Sequence, residues 1–298
     1  MKTKFLTLIT MILLGGLIFT SCDKNDDNDN QNLNVPGVVL NAFTKEYPNV
    51  KPNWSLNDNY YVAEFGNDDN EVDVWFTSDG VIMLTVKEIP SAQLPAAIKT
   101  AIQTTKYATW TTDDVKLIQR NGFDDLYKVE MDDPKSESDV TLYYTKDGVL
   151  VKEVPDIDNT PIVPAVVPQK ITDALNETFG TGKYKIADFD KETNGYDADI
   201  ILSADPMKSI EVIFNNSYII VYYQWEITYN EVLPVVQNAF KKLGYSEAQI
   251  DDIYYRQTPE ATPRENVTTY IFEVDASPKD MIVIINQDGT VLSNNPSI

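Results

Sequence analysis

The stretch Val72-Asp73-Val74-Trp75-Phe76-Thr77-Ser78-Asp79-Gly80 decides how this chain is read. It is an apolar, strand-forming run that ends in Asp-Gly, the pair that supplies the positive φ values of a tight hairpin turn. The pattern returns as Leu142-Tyr143-Tyr144-Thr145-Lys146-Asp147-Gly148 and as Val283-Ile284-Ile285-Asn286-Gln287-Asp288-Gly289. In a fourth place, Val212-Ile213-Phe214-Asn215-Asn216 meets Ser217-Tyr218 where Asp-Gly would stand, and Asn215-Asn216 is the alternative turn. The turns at 79, 147, 217 and 288 are 68, 70 and 71 residues apart. A period that constant argues for duplication.

Working outward, each turn is preceded by a helix signal and by further strands. The helices open on Val35-Pro36, Leu94-Pro95, Val167-Pro168 and Leu233-Pro234. Proline at a first helical position presets φ and forfeits no intrahelical hydrogen bond. Apolar residues then recur at helical spacing: Val39, Ala42, Phe43 and Tyr47 in the first helix, and Ala97, Ile98, Ala101 and Ile102 in the second. Val167, Ile171, Leu175 and Phe179 mark the third, and Val235, Val236, Ala239, Phe240 and Leu243 the fourth, so one face of each helix must be covered. Between helix and turn lie Tyr60 to Phe65, Leu126 to Met131, Tyr196 to Leu202 and Thr269 to Val274, with earlier runs at Val115 to Ile118 and Ile253 to Tyr255. Most alternate apolar with polar, as in a sheet with one wet and one buried face.

The fold class is therefore α+β: four helix-plus-antiparallel-sheet repeats, arranged as two domains of two repeats each, 35–155 and 161–298, the second diverged. Pro155-Asp156-Ile157-Asp158-Asn159-Thr160-Pro161 is the linker between them. One helix over four strands makes a small core, and pairing two units adds buried apolar surface and protects sheet edges.

The N-terminus reads as an address. Lys2 and Lys4 precede an apolar run from Phe5 to Phe19, too short for a comfortable membrane span, and Thr20-Ser21 supply small residues before Cys22, the sole cysteine. Residues 1–21 read as a lipoprotein signal peptide, Cys22 as the lipidation site and membrane attachment, and 22–34 as an acidic flexible tether. The segment Phe19-Thr20-Ser21-Cys22 resembles a lipobox, with Phe where Leu is commoner. The tract after Cys22 resembles the acidic export signal of Bacteroidetes surface lipoproteins, which implies an outer membrane lipoprotein exposed at the surface; a periplasm-facing tether of the same composition is the alternative.

Composition excludes much chemistry. The 298 residues contain no histidine, and the one cysteine is assigned to lipid. Ser-His-Asp and Cys-His nucleophiles, His or Cys zinc sites, haem ligation by His and thiol redox all lack their residues. With 46 acidic against 24 basic residues, the net charge of −22 repels phosphates, so nucleic acid is not an expected partner. Asp188, Asp190, Glu192 and Asn194 resemble a calcium loop, but Thr193 stands where glycine is needed and no bidentate Glu follows. No catalytic residue, metal ligand or cofactor is expected.

The run from Val35-Pro36 through Phe43-Thr44-Lys45-Glu46-Tyr47-Pro48, Trp54, Tyr61-Val62-Ala63-Glu64-Phe65 and the Val72 to Gly80 hairpin carries a family pattern, continued by Tyr107, Tyr127-Lys128-Val129-Glu130 and the Leu142 to Gly148 hairpin. It resembles the PepSY-like domains of Bacteroidetes secreted proteins and lipoproteins, related in fold to beta-lactamase-inhibitor protein. The resemblance implies a non-catalytic protein that engages a protein or peptide partner through sheet surfaces rich in aromatics, an inhibitor included. Trp54, Tyr60, Trp75, Tyr143, Tyr223 and Trp225 form the candidate binding face, against the competing reading of these aromatics as core. The alternative function is a glycan-binding surface lipoprotein or a carboxylate-dependent hydrolase.

Overall fold

The structure is a computed structural model that describes residues 33–67, 70–136, 138–259 and 266–297. Residues 1–21, read from sequence as a signal peptide, and Cys22, read as the lipidation site, lie outside the described residues. Among the described residues, sixteen strands form two eight-stranded antiparallel sheets, each a meander whose neighbours in sequence are neighbours in space. The first sheet comprises β1 (Asn53–Asn57), β2 (Tyr60–Phe65), β3 (Val72–Phe76), β4 (Ile82–Glu88), β5 (Thr111–Arg120), β6 (Leu126–Asp132), β7 (Asp139–Thr145) and β8 (Leu150–Pro155). The second comprises β9 (Tyr184–Glu192), β10 (Gly195–Leu202), β11 (Asp205–Asn215), β12 (Ile220–Glu226), β13 (Ile250–Pro259), β14 (Asn266–Val274), β15 (Met281–Asn286) and β16 (Val291–Pro296).

Helix α1 (Gly37–Glu46) precedes β1, α2 (Ala96–Gln103) precedes β5, α3 (Gln169–Phe179) precedes β9 and α4 (Pro234–Lys242) precedes β13. Every segment of one helix and four strands follows the same order. Three of the four prolines sit one residue before the first helical position: Pro36, Pro95 and Pro168 cap α1, α2 and α3, whereas Pro234 is the first helical residue of α4, as its sequence predicts. The cap φ near −57° suits proline equally, because its missing N–H lies outside the helical ladder.

The helices cover one face of each sheet. Val39 and Phe43 of α1 meet Ala63, Val74 and Phe76, whereas Ile98 and Ile102 of α2 meet Val115, Val129, Leu142 and Tyr144. Ile171 and Leu175 of α3 pack on Ala198, Ile200 and Val212, and Val236 and Phe240 of α4 on Ile253, Phe272 and Val283. Phe240 stacks on Phe272 with ring centroids 4.5 Å apart. Burying such a side chain stabilises the fold by about 1.5–3 kcal/mol. The two segments of the first sheet join where β4 pairs with β5, Val86 opposite Ile118, and those of the second where β12 pairs with β13.

The hairpins are anchored to the helices at matching positions. A Cβ on Gly80 would lie 3.1 Å from the Val38 carbonyl oxygen, one on Gly148 2.7 Å from that of Ala97, and one on Gly289 3.2 Å from that of Val235. Val38, Ala97 and Val235 are each the second residue of their helix. In the third segment the turn is carried by Asn215, whose side chain accepts from the Ser217 and Ile219 amides, and Tyr218 takes the glycine position with φ 65°. Lys170, the second residue of α3, lies over the Tyr218 ring at 5.3 Å.

Candidate functional site

The helices leave the opposite face of each sheet for other contacts. On the first sheet this open face carries Val62, Trp75, Leu84, Ile118, Leu126 and Tyr143, and they are buried in a cluster that also includes Ala187 of the second sheet, with Ile162 and Ile201 packed against it. The segment that reads as a linker is thus a strap across the open face. Lys128 Nζ donates to the Asp158 carbonyl at 2.5 Å, Tyr143 donates to the Asp158 carboxylate at 2.8 Å, and the Asp158 amide donates to Thr141 Oγ1 at 2.8 Å. Asp156 forms a parallel bridge with Val140, and Arg120 Nε donates to the Val163 carbonyl at 3.1 Å. Burial works to raise the pKa of Asp158, but bonds from Thr160 and Tyr143 hold it below the usual carboxylate range.

Beneath the strap lies a pocket of about 410 Å³ between residues 157–162 and strands β3 to β6. Trp75 forms one wall, and Asp73, Glu71, Lys116 and Lys128 are among the polar groups at its surface. Lys128 pairs with Glu130 at 2.7 Å and Lys116 with Asp114 at 3.2 Å. Burial, and then Glu64 and Glu71, push Asp73 up to about 6.

The second sheet presents an acidic open face. Its registers set Asp199 opposite Asp188 on β9 and opposite Glu211 on β11, with Asp197 opposite Asp190. Directly opposed like charges are unfavourable in a sheet, and burial raises the cost. Basic side chains of the first sheet reach over to meet them: Arg120 pairs with Asp188, and Lys152 of β8 pairs with Asp190 at 3.3 Å. Burial, reinforced by the neighbouring carboxylates, holds Asp197 and Asp199 well above the ordinary range, and burial also raises Asp188 and Glu211.

Further along this face, Lys106 contacts Glu153 at 3.1 Å, Asp252 at 3.4 Å and Asp251 at 3.8 Å. Burial opposes the lysine's charge, yet the carboxylates hold its pKa above the ordinary lysine value. Nearby, burial and then Asp252 push Glu226 up to about 7 and Glu273, only 7% exposed, up to about 9. Among the described residues, no group of three or more acidic side chains is placed to hold a metal ion. Asp188, Asp190 and Glu192 lie in strand β9, with Asn194 in the turn that follows.

The six aromatic candidates are divided between the two faces. Tyr60, Trp75 and Tyr143 lie on the open face of the first sheet, Trp75 edge-on to Tyr60 and 8% exposed. Trp54 packs among Phe43 and Phe76 under α1. Tyr223 and Trp225 stack on each other in the cores beneath α3 and α4, and Tyr223 donates to Gln257 at 2.7 Å. None of Trp54, Trp75, Trp110 and Trp225 is exposed. The strap and the acidic face were not singled out from sequence. Their signal was present: Asp188-x-Asp190 and Asp197-x-Asp199 place acids at period 2 on strands, hence on one face.

The site is thus built on helix-on-antiparallel-sheet units, with residues 156–163 of the chain itself seated on the open face of the first sheet. Residues 59–152 match the family model described as "Putative beta-lactamase-inhibitor-like, PepSY-like", the likeness that the hairpin motifs carry. A solved BLIP-like protein from Bacteroides fragilis is 28% identical, covering 47% of this chain and all of that one, with a TM-score of 0.41. A DUF2874 family protein from Bacteroides ovatus is 25% identical over 44% of this chain and 96% of that one, TM-score 0.38. A putative periplasmic protein from Bacteroides eggerthii is 22% identical over 41% of this chain and 89% of that one, TM-score 0.37. No curated protein matches the chain.

Proposed function

We propose that the chain is a lipid-anchored, non-catalytic binding protein of the cell envelope, tethered through Cys22 to the outer membrane and displayed at the surface. Its tandem domains, 35–155 and 161–298, each of two repeats, engage a protein or peptide through their sheet surfaces, inhibition of an enzyme being one form of that engagement. The observation that carries this reading is the strap: the open face of the first sheet already grips an extended polypeptide segment, with Lys128 donating to the Asp158 backbone carbonyl and Tyr143 to its side chain. A surface that binds backbone and side chain together suits recognition of another extended segment. The second sheet adds charge, since its acidic face accepts Lys106 and Lys152 and so favours basic partner groups. The glycan-binding alternative has less behind it, because no tryptophan stands exposed as a sugar platform, and the hydrolytic one because the opposed carboxylates Asp188 and Asp199 are buried.

The test is capture from a Bacteroides envelope extract by the immobilised soluble chain 23–298. A partner retained by this chain, and not by a charge-matched acidic protein, supports the reading. Equal retention by both, or none by either, counts against it.

A further inference from the structure

We propose that the pocket roofed by the strap binds an organic cation with a primary ammonium or guanidinium head, either a free small amine or a lysine or arginine side chain. This site goes beyond the protein-binding reading of the sheet faces and does not depend on it. Three observations converge on the pocket. It is a cavity of about 410 Å³ with Trp75, a ring of the kind cations favour, among its lining residues. Asp73 lines the same cavity, and its Oδ1 is buried and has no hydrogen-bond donor. A carboxylate so poorly solvated is costly to ionise, and a cation seated in the pocket beside it would offset that cost.

Lys116 lies near enough to draw the Asp73 pKa down, but burial, Glu64 and Glu71 outweigh it, and neither pocket lysine hydrogen-bonds Asp73 Oδ1. Lys128 is taken by Glu130 and by the strap carbonyl of Asp158, and Lys116 by Asp114. Glu71, exposed at the mouth, adds negative charge on the approach. The site is specific to the tandem chain, because residues 157–162 supply its roof. Asp73 is held up to about 6 by burial and by Glu64 and Glu71, so an entering cation would favour its ionised form and expel the remaining proton.

The experiment is calorimetric titration of the soluble chain 23–298 with cadaverine, agmatine and N-acetyl-lysine amide, with N-acetyl-norleucine amide as the uncharged control. Asp73→Asn preserves shape and removes the charge, and Glu192→Gln removes one exposed charge on β9 as the electrostatic control. The expected result is one site, weakened at least about tenfold by Asp73→Asn, the loss of a charge-assisted hydrogen bond, and unchanged by Glu192→Gln. Binding should strengthen as pH rises through about 6 and release protons there, and Asp73→Asn should abolish that release. Tight binding of all three cations indicates a head group borne on either source, and binding of the free amines alone indicates a small-molecule site; both support the proposal. No binding up to millimolar cation, or equal affinity in Asp73→Asn and the parent chain, would overturn it, the latter marking diffuse attraction to a chain of net charge −22.

Discussion

Arg120 at the end of β5 and Asp188 in β9 form an ion pair between the two sheets, with side chains only 8% and 6% exposed. Asp188 stands opposite Asp199 in its own sheet, so this guanidinium offsets one of two neighbouring buried carboxylates. Arg120 also donates to the Val163 carbonyl at 3.1 Å, so one side chain fixes both the strap's exit and the second sheet. Replacing it by alanine leaves Asp188 buried without its cation, which should cost about 3–5 kcal/mol in denaturant unfolding. Arg120→Ala with Asp188→Leu should recover most of that loss. Recovery of none of it would mean that the pair does not join the sheets.

The strap should behave as a bound segment, not a passive linker. Asp158→Ala removes the acceptor of Tyr143 and Thr160, leaving the buried Tyr143 hydroxyl without that partner. The expected loss is about 1–3 kcal/mol. Amide exchange should report it locally, with protection falling at 156–163 and in β7 before the α4 core responds. Uniform loss across the chain would show that the strap does not open on its own.

Stability should fall from mildly acidic to alkaline pH. Asp73, Glu226 and Glu273 have folded pKa values of about 6, 7 and 9, all above their unfolded values, so the native state binds more protons across that window. Their contribution is full below the unfolded carboxylate range and is lost as pH rises through each folded value. Asp158 runs the other way, stabilising above its unfolded pKa and failing only in stronger acid. Thermal melts from pH 5 to pH 9 should therefore decline, and Glu273→Gln should flatten the alkaline limb by on the order of 1–3 kcal/mol. A parent chain whose stability climbs over this range contradicts the assignment.

The hairpin anchors make a sharper forecast. Gly148 has φ 84°, and an added Cβ would meet the Ala97 carbonyl oxygen at 2.7 Å. Gly148→Ala combines a left-handed backbone with a collision against helix α2, and should cost about 2–4 kcal/mol in urea unfolding. Gly122, at φ 89° with open space around its Cβ position, should lose only the backbone part, about 1 kcal/mol, on the same change. Equal losses at both positions would remove the helix contact from the account.

That contrast also explains what was legible in sequence. Asp-Gly turns and alternating strands depend on local chemistry, so the hairpins at Gly80, Gly148 and Gly289 were readable one segment at a time, and their spacing carried the architecture. Three of the four helix starts shifted by one residue because proline suits the cap and the first turn alike. Strand β1 was represented only by Trp54, since Asn53, Ser55 and Asn57 give no apolar run. The strap escaped because nothing in Asp156 to Pro161 is periodic; what holds it is Lys128, Thr141 and Tyr143, far away in sequence. The faces of the aromatics depended on pairing register, which set Trp75 opposite Val62 and Leu84 and left Tyr223 under α3.

The central claim is that the open sheet faces are where this chain meets a partner. Photo-crosslinking residues installed singly at Glu64 and Glu226, exposed on the open faces of the first and second sheets, and at Lys45 and Lys242, exposed on helices α1 and α4, test it directly in the envelope-capture experiment. The account predicts partner adducts from Glu64 or Glu226 and none from the helix positions. Adducts confined to Lys45 or Lys242 would contradict it.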